Sequence, residues 1–173
     1  MRIAHQLKDK NVCEYLLYMW QIEDTIRGYA CDEERLEKEF LPRLQLEGDA
    51  LRETTEWYCN LTRMMHEEGV CERGHLQINK GTLSLLTDRH QELLHDPKQP
   101  FYSAAYYKAL PYIVEIRSQL SEPKPELETC FDILYGVWLL RIQHKDISAE
   151  TQAAVDTISH LVALLAQNYN TTI

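Results

Sequence analysis

The residues of this sequence best suited to chemistry are charged side chains within apolar stretches. Arg141 follows a long apolar run, and Arg117 lies in an apolar helical pattern, so both are expected near covered surfaces. A buried charge must be paired or must bind something, because an isolated ion is very costly in a low-dielectric interior. Two interpretations stay open. We favour ion pairing with acidic side chains over a pocket for an anionic ligand.

A second acidic and basic group lies near the start of the chain. Glu23 and Asp24 precede Arg27 by four and three residues, which is the spacing of side chains that meet on one helix face. They are interpreted either as a buried group of ion pairs or as an ordinary surface pair.

Aromatic residues are a third candidate, since ten tyrosines stand against three phenylalanines. Five rings cluster in sequence around Pro111: Phe101, Tyr102, Tyr106, Tyr107 and Tyr112. The rings could line a pocket in which the tyrosine hydroxyls hydrogen-bond a planar ligand. We favour a place at the rim of the core or at a dimer seam, because tyrosine is common at interfaces.

Residues able to bind a metal or carry a covalent step lack a recognisable pattern. His66, Cys71 and His75 surround a glycine-rich turn, but their spacing matches no zinc finger or ribbon. Glu92 and His95 form one Glu-x-x-His step, whereas carboxylate-bridged metal bundles need a second step and two more inward glutamates. Neither a nucleophile elbow nor a phosphate loop is present. We therefore predict no metal, no cofactor and no catalytic residue.

Composition excludes some partners. The 173 residues carry a net charge of −9, with pI about 5.2, and this field repels phosphate backbones and anionic lipid surfaces. We predict no nucleic acid and no membrane partner. The five cysteines form no CxxC pair, which is typical of reduced thiols, and no signal peptide pattern precedes them. These features predict a chain that is mature from Met1 and cytoplasmic.

The elements that position these residues are helices, because apolar residues recur at three- and four-residue spacing and no strand-type alternation competes. Asp32 and Ser148 are predicted N-caps, Gly69 a left-handed stop, and Pro111 a kink in the fifth helix. The seven predicted helices have these approximate ranges: 11–31, 32–42, 49–68, 83–94, 100–120, a sixth containing 133–140, and 148–169.

The sixth helix contains eight consecutive apolar or small residues, Ile133–Leu140. This run is far shorter than the roughly 20 residues that cross a bilayer, so other helices must enclose it. We expect helix six to be the central rod of the bundle, and Gly136→Leu to cost more than about 2 kcal/mol through overpacking. Between Glu150 and Ile173 the only further charge is Asp156. The seventh helix should therefore be covered as well, either centrally or at a subunit interface.

Several segments, read together, resemble a bacterial domain-of-unknown-function family of small, cytosolic, all-helical proteins. The segments that carry the resemblance are Tyr15–Asp24, Gly74–Lys80, Pro100–Glu115, Leu127–Phe131 and Ile158–His160. The resemblance implies a single helical domain. It brings no activity, cofactor or catalytic residue.

The sequence thus predicts one all-α domain over residues 1–173, a bundle of about seven helices with helix six central. We expect a non-catalytic cytoplasmic interaction or regulatory module, homo-oligomeric through helix seven or bound to an unknown protein partner. The alternative is a binding protein or enzyme for a small molecule, for example an anionic one. Its pocket would lie between helices one, five and six and would contain Trp20, Tyr106, Arg117 and Arg141.

Overall fold

The apolar periodicity of the chain becomes helix nearly throughout the computed structural model, which describes residues 2–122 and 124–170. Within these residues there are eight α-helices and no strand, which confirms the all-α prediction. A π-helical turn, Leu36–Phe40, and a 3₁₀ turn, Leu41–Leu44, follow the short third helix. The helices are α1 (Arg2–Lys10), α2 (Val12–Gly28), α3 (Glu33–Arg35), α4 (Gly48–Glu67), α5 (Gln77–His95), α6 (Pro100–Gln119), α7 (Glu126–Ile142) and α8 (Ala149–Asn170).

The helix ends show which local signals decide the boundaries. Asp32 Oδ1 accepts the backbone N–H of Arg35 at 3.0 Å, and Ser148 Oγ accepts that of Thr151 at 3.0 Å, so both predicted N-caps are confirmed. Gly69 follows α4 with φ +67°, the left-handed conformation expected of a helix stop. Helix α1 was not predicted, and α5 begins six residues before the predicted position.

The chain divides into two compact units. The first comprises the chain up to Thr82 apart from residues 11–13, and the second comprises residues 11–13 together with the chain from Leu83 onward. The prediction of a single domain stays a prediction. No helix in the described ranges has the length and apolar character that a bilayer crossing requires.

In the first unit, α2 presents one apolar stripe to α4 and to the turns between them. Its members recur at three- and four-residue spacing, which places them along one face of the helix. The buried core of this unit contains Tyr15, Met19, Ile22, Ile26, Leu36, Leu41, Tyr58, Leu61, Met65, Val70 and Leu76.

In the second unit, α6 packs against α7 and α8, and α7 packs against α8. The low charge of α8, which carries only Glu150 and Asp156, agrees with burial within this unit. Its buried residues are Ala154, Val155, Ile158, Leu161, Val162, Leu165 and Ala166. Burial within the chain therefore accounts for these apolar residues, and a subunit interface through this helix stays a prediction.

The apolar run Ile133–Leu140 lies in α7 but is not enclosed on every side. Val137 is buried, and the other seven residues of the run are half-buried. The expectation of complete enclosure is therefore wrong for this chain alone, and the central position of this helix is not confirmed. Three of the half-buried residues, Ile133, Gly136 and Leu140, line a groove beside α7, and a Cβ added to Gly136 would meet no atom within 4 Å.

Helix α6 continues through Pro111, whose side chain is exposed. Proline has no backbone N–H, so the carbonyl of Tyr107 loses its helical donor at this point. The predicted kink stays a prediction.

Candidate functional site

The first cluster of functional side chains is built around Glu23 of α2, which is 0% exposed. Its Oε1 accepts hydrogen bonds from the backbone N–H of Leu76 at 2.8 Å and from Nδ2 of Asn79 at 2.6 Å. Its Oε2 lies 2.5 Å from Nδ1 of His75. Arg27 Nη2 lies 4.0 Å from the same oxygen. The carboxylate thus connects the middle of α2 to the chain that enters α5.

The neighbours of Glu23 on α2 extend this connection. The Trp20 ring stacks on His75 with centroids 4.3 Å apart and planes 15° apart. Arg27 donates to the carbonyl of Val70 at 3.2–3.3 Å and to that of Gly74. It also forms an ion pair with Asp24 at 2.7 Å.

Glu23 is buried and Arg27 is half-buried, and both side chains hold the residue 70–79 segment, whereas the close ion pair of Arg27 is with the 42% exposed Asp24. Their acceptors and donors are met by the chain itself, and this favours a structural role over ligand binding.

The second cluster joins α6 and α7 in the second unit. Tyr106 donates its hydroxyl to Oε2 of Glu126 at 2.7 Å, and Arg117 Nη1 lies 3.4 Å from Oε1 of the same carboxylate. Burial and the hydrogen bond to Glu126 raise the pKa of Tyr106 to about 12. Arg117 therefore has the acidic partner that the ion-pair interpretation requires. Sequence reasoning missed Glu126, whose only visible signal is an acidic residue in the first turn of a helix.

A histidine lies beside this network. His90 is 2% exposed, and its Nδ1 is 2.6 Å from the hydroxyl of Tyr102. Its ring also packs edge to face against Tyr106, with centroids 5.3 Å apart. Burial lowers the pKa of His90, while the negative charge of Glu126 acts in the opposite direction. No partner for its Nε2 occurs in the described residues.

The four residues predicted to line a pocket have different surroundings. Tyr106 and Arg117 meet on Glu126. Arg141 is exposed and donates to Oε1 of Gln152 at 3.0 Å. Trp20 belongs to the first unit and stacks on His75 as described. A shared ligand pocket of these four residues stays a prediction.

Potential metal ligands are committed to other contacts. His66 Nε2 lies 2.7 Å from the carbonyl of Cys31, and His75 contacts Glu23. None of the five cysteines forms a disulfide, and burial raises the pKa of the Cys31 thiol to about 12, with a further contribution from Cys71. Across the described chain, no group of three or more His, Cys, Asp or Glu side chains is arranged to hold a metal ion.

An apolar groove is a further feature of the second unit. Its volume is about 600 Å³, and it lies among α6, α7 and α8. Four of its lining residues belong to the apolar run Ile133–Leu140, and two of the other lining residues are acidic. The lining residues are Tyr112, Glu115, Ile116, Gln119, Ile133, Gly136, Val137, Leu140, Glu150, Thr151 and Ala154.

The outer face of α6 is a second apolar surface, which we call the α6 stripe. It consists of Ala104, Tyr107, Pro111 and Val114, all exposed, with Tyr107 67% and Val114 52% exposed. Phe101 precedes it with 83% exposure. The predicted aromatic cluster is therefore divided among the core, the groove and the outer surface. The three-, four- and three-residue spacing of the stripe is present in the sequence. The buried apolar residues of α6 have spacings of the same kind, so the sequence alone does not show which of the two sets is exposed.

The fold defines an all-helical protein with two apolar surfaces on its second unit. The chain belongs to the family described as "Domain of unknown function (DUF4924)", whose family model matches residues 1–172. This confirms the resemblance to a domain-of-unknown-function family. No curated protein and no solved structure matches the chain.

Proposed function

We propose that this chain is a non-catalytic interaction module that associates with a second copy of itself through the α6 stripe. The observation that carries this proposal is the exposure of Tyr107 and Val114 beside Ala104 and Pro111 on one helix face. Contiguous apolar surface of this kind on a soluble protein marks an interaction site. Self-association would remove it from water.

The spacing of the stripe suits a partner helix. Ala104, Tyr107, Pro111 and Val114 follow the alternating three- and four-residue steps of an a/d seam, the pattern by which two helices pack along each other. Ala104 and Pro111 occupy one seam position and are small, so a second backbone can approach closely there.

Charges beside the stripe favour a second copy as the occupant. Lys108 and Glu115 lie seven residues apart on the same edge of α6 and are both exposed. Neither has an ion-pair partner in the chain as described. If two α6 helices pack antiparallel about a two-fold axis between residues 111 and 112, each Lys108 lies opposite the other copy's Glu115. Such flanking pairs set orientation and register more than affinity.

Assignment of the interface to α6 differs from the expectation that the last helix would form it. The apolar residues of α8 are buried within their own unit. Its outward face carries Ala153, Asp156, His160, Ala163 and Gln167, which offer little apolar area.

The proposal is tested by sedimentation equilibrium across a concentration series. We expect the wild-type chain to reach twice its 20.3 kDa mass and Val114→Arg to remain at the single mass. Leu85→Arg is the matched control, because Leu85 is 57% exposed in the same unit but lies on α5. It should associate as the wild type does. A wild-type chain that stays at the single mass at millimolar concentration overturns the proposal.

A charge-reversal cycle tests the orientation. Lys108→Glu and Glu115→Lys each place like charges opposite each other twice per dimer, and we expect each to weaken association about tenfold. The double variant restores both pairs and should recover most of the affinity. If the double variant is as weak as the single variants, the antiparallel arrangement is refuted.

A second candidate function, ligand binding, is favoured by the groove, whose volume lies within the range of small-molecule sites, about 300–1,000 Å³. Its position differs from that of the predicted pocket, because neither Arg117 nor Arg141 lines it. The absence of a disulfide among the five cysteines is typical of proteins in a reducing compartment. We therefore propose the cytoplasm as the location of the protein for either function.

A further inference from the structure

We infer that the groove among α6, α7 and α8 binds a small amphiphile, with an aliphatic or aromatic body and one protonated amine. This inference does not depend on self-association through the α6 stripe, which uses the outer face of α6. It assigns the groove a ligand class of definite charge.

The walls of the groove select the apolar body. Ile116 comes from α6, Ile133, Val137 and Leu140 come from α7, and Ala154 comes from α8. Ile133 and Leu140 are half-buried in the free chain, so they present apolar surface that a ligand body would remove from water. The groove thus gives a role to the half-buried Ile133, Gly136 and Leu140 of the longest apolar run.

One lining residue of the groove, Gly136, has no side chain. Gly136 lines the groove in the middle of α7, and a Cβ built there would meet no atom within 4 Å. Glycine is unfavourable within a helix by about 1 kcal/mol relative to alanine. Its φ does not lie in the left-handed region, so the backbone gives no reason for glycine at this position. We connect the glycine with the groove that it lines, because a larger side chain would occupy part of that space.

The polar part of the lining selects a cation. Among the described residues, the charged ones that line the groove are Glu115 and Glu150, and none of the described lining residues is Lys, Arg or His. Both carboxylates are exposed, and neither has an ion-pair partner within the described residues. A protonated amine on an apolar body can reach either one while its body lies between Ile133 and Leu140. The net charge of −9 attracts such a ligand and repels an anionic one of the same shape.

The test uses three probes of equal chain length and different charge: n-octylammonium, n-octanol and n-octanoate. Each is titrated into the full chain while methyl carbon–proton spectra follow Ile116, Ile133 and Leu140. We expect saturable shifts of these methyl groups with octylammonium, and an affinity at least tenfold weaker for octanoate. Absence of saturable shifts with octylammonium overturns the site. Equal affinities of octylammonium and octanoate overturn the assignment of a cation.

Substitutions in the groove separate its shape from its charge. Gly136→Leu fills the space and should weaken octylammonium binding at least tenfold. The matched control is Gly81→Leu, the same change in α5 at a glycine whose Cβ also meets nothing within 4 Å. It should bind as the wild type does. If Gly136→Leu binds with wild-type affinity, the ligand does not occupy this groove.

The charge is tested at Glu150, because Glu115 is also assigned to the self-association contact. Glu150→Gln should weaken octylammonium binding about three- to tenfold and leave octanol binding unchanged. Asp156→Asn removes a charge from the same helix outside the groove and is the control. An equal effect of both substitutions on octylammonium would mean that only net charge matters, and this would overturn the amine contact.

Discussion

Replacement of Glu23 by alanine should be among the most destabilising single changes in the first unit. The substitution removes the acceptor for Leu76 N–H and Asn79 Nδ2, which lie at 2.8 and 2.6 Å, and leaves His75 without its carboxylate. A buried donor left without an acceptor costs about 1–3 kcal/mol, and loss of one partner of a buried charged contact costs about 3–5 kcal/mol. Because these terms overlap, we expect Glu23→Ala to lower the free energy of unfolding by about 4 kcal/mol.

Two further variants show whether the charge or the hydrogen bonds matter. Glu23→Gln keeps the volume and one acceptor oxygen, and its NH₂ group can donate to a neutral His75, so we expect a loss of only about 1–2 kcal/mol. Asp24→Ala is the matched control. Its carboxylate is on the same helix and pairs with Arg27 at 2.7 Å but is 42% exposed. A pair of this exposure contributes under about 1 kcal/mol.

The measurement is urea unfolding followed by circular dichroism, together with native-state hydrogen exchange at the Leu76 amide. Glu23→Ala should lower the unfolding midpoint far more than Asp24→Ala and should speed exchange at Leu76. If both alanine variants have the same midpoint, or if the Leu76 amide keeps wild-type protection in Glu23→Ala, Glu23 does not anchor the 70–79 segment.

Three further predictions concern protonation, thiol access and packing. Burial lowers the pKa of His90 below its ordinary 6.5, so the unfolded chain binds the proton first and stability should fall as pH falls below about 6.5. His90→Gln can still accept from Tyr102 and should show a smaller fall between pH 7 and 5, whereas an identical fall would exclude His90 as the cause. N-ethylmaleimide should modify Cys71, the one half-buried thiol, before the four buried ones, as peptide mass mapping would show. Burial raises the pKa of Cys130 to about 12, so its early labelling would contradict its enclosed position. Gly136→Leu should raise the free energy of unfolding by about 0.5–1 kcal/mol in thermal melts, because helix propensity improves and a Cβ at this position meets no atom within 4 Å; a loss above about 2 kcal/mol would restore the crowded arrangement expected from sequence.

The parts of the fold that sequence predicts are those that local chemistry decides. Asp32, Gly69 and Ser148 act within a few residues of their own positions, and each has the predicted role. Four of the nine residues of α1 are charged, and the helix has no long apolar stripe. The spacing of apolar residues therefore did not predict a helix there. The segment after Asp32 was expected to be one helix, and Pro42 instead lies within a 3₁₀ turn, Leu41–Leu44, that follows a π-helical turn.

The candidate sites are less predictable because their residues are far apart in sequence. Glu23 and His75 are 52 residues apart, and no spacing rule connects them. Tyr106 and Glu126 are 20 residues apart and meet because α6 packs against α7. Sequence identified Glu23, His75 and Tyr106 as candidates but not the contacts that decide their roles.

The apolar run of α7 shows a limit of periodicity as an argument. A helix with apolar residues on all sides must be covered, but the sequence does not say by what. In this chain the inner side of α7 is covered by α6 and α8, while Ile133, Gly136 and Leu140 face the groove. Ile133 and Leu140 share this lining with Glu115 and Glu150. A mainly apolar lining with a few polar groups is typical of a ligand site rather than of a closed core. The partly covered residues Ile133 and Leu140 are therefore the part of the apolar run on which our proposal of a ligand in the groove rests.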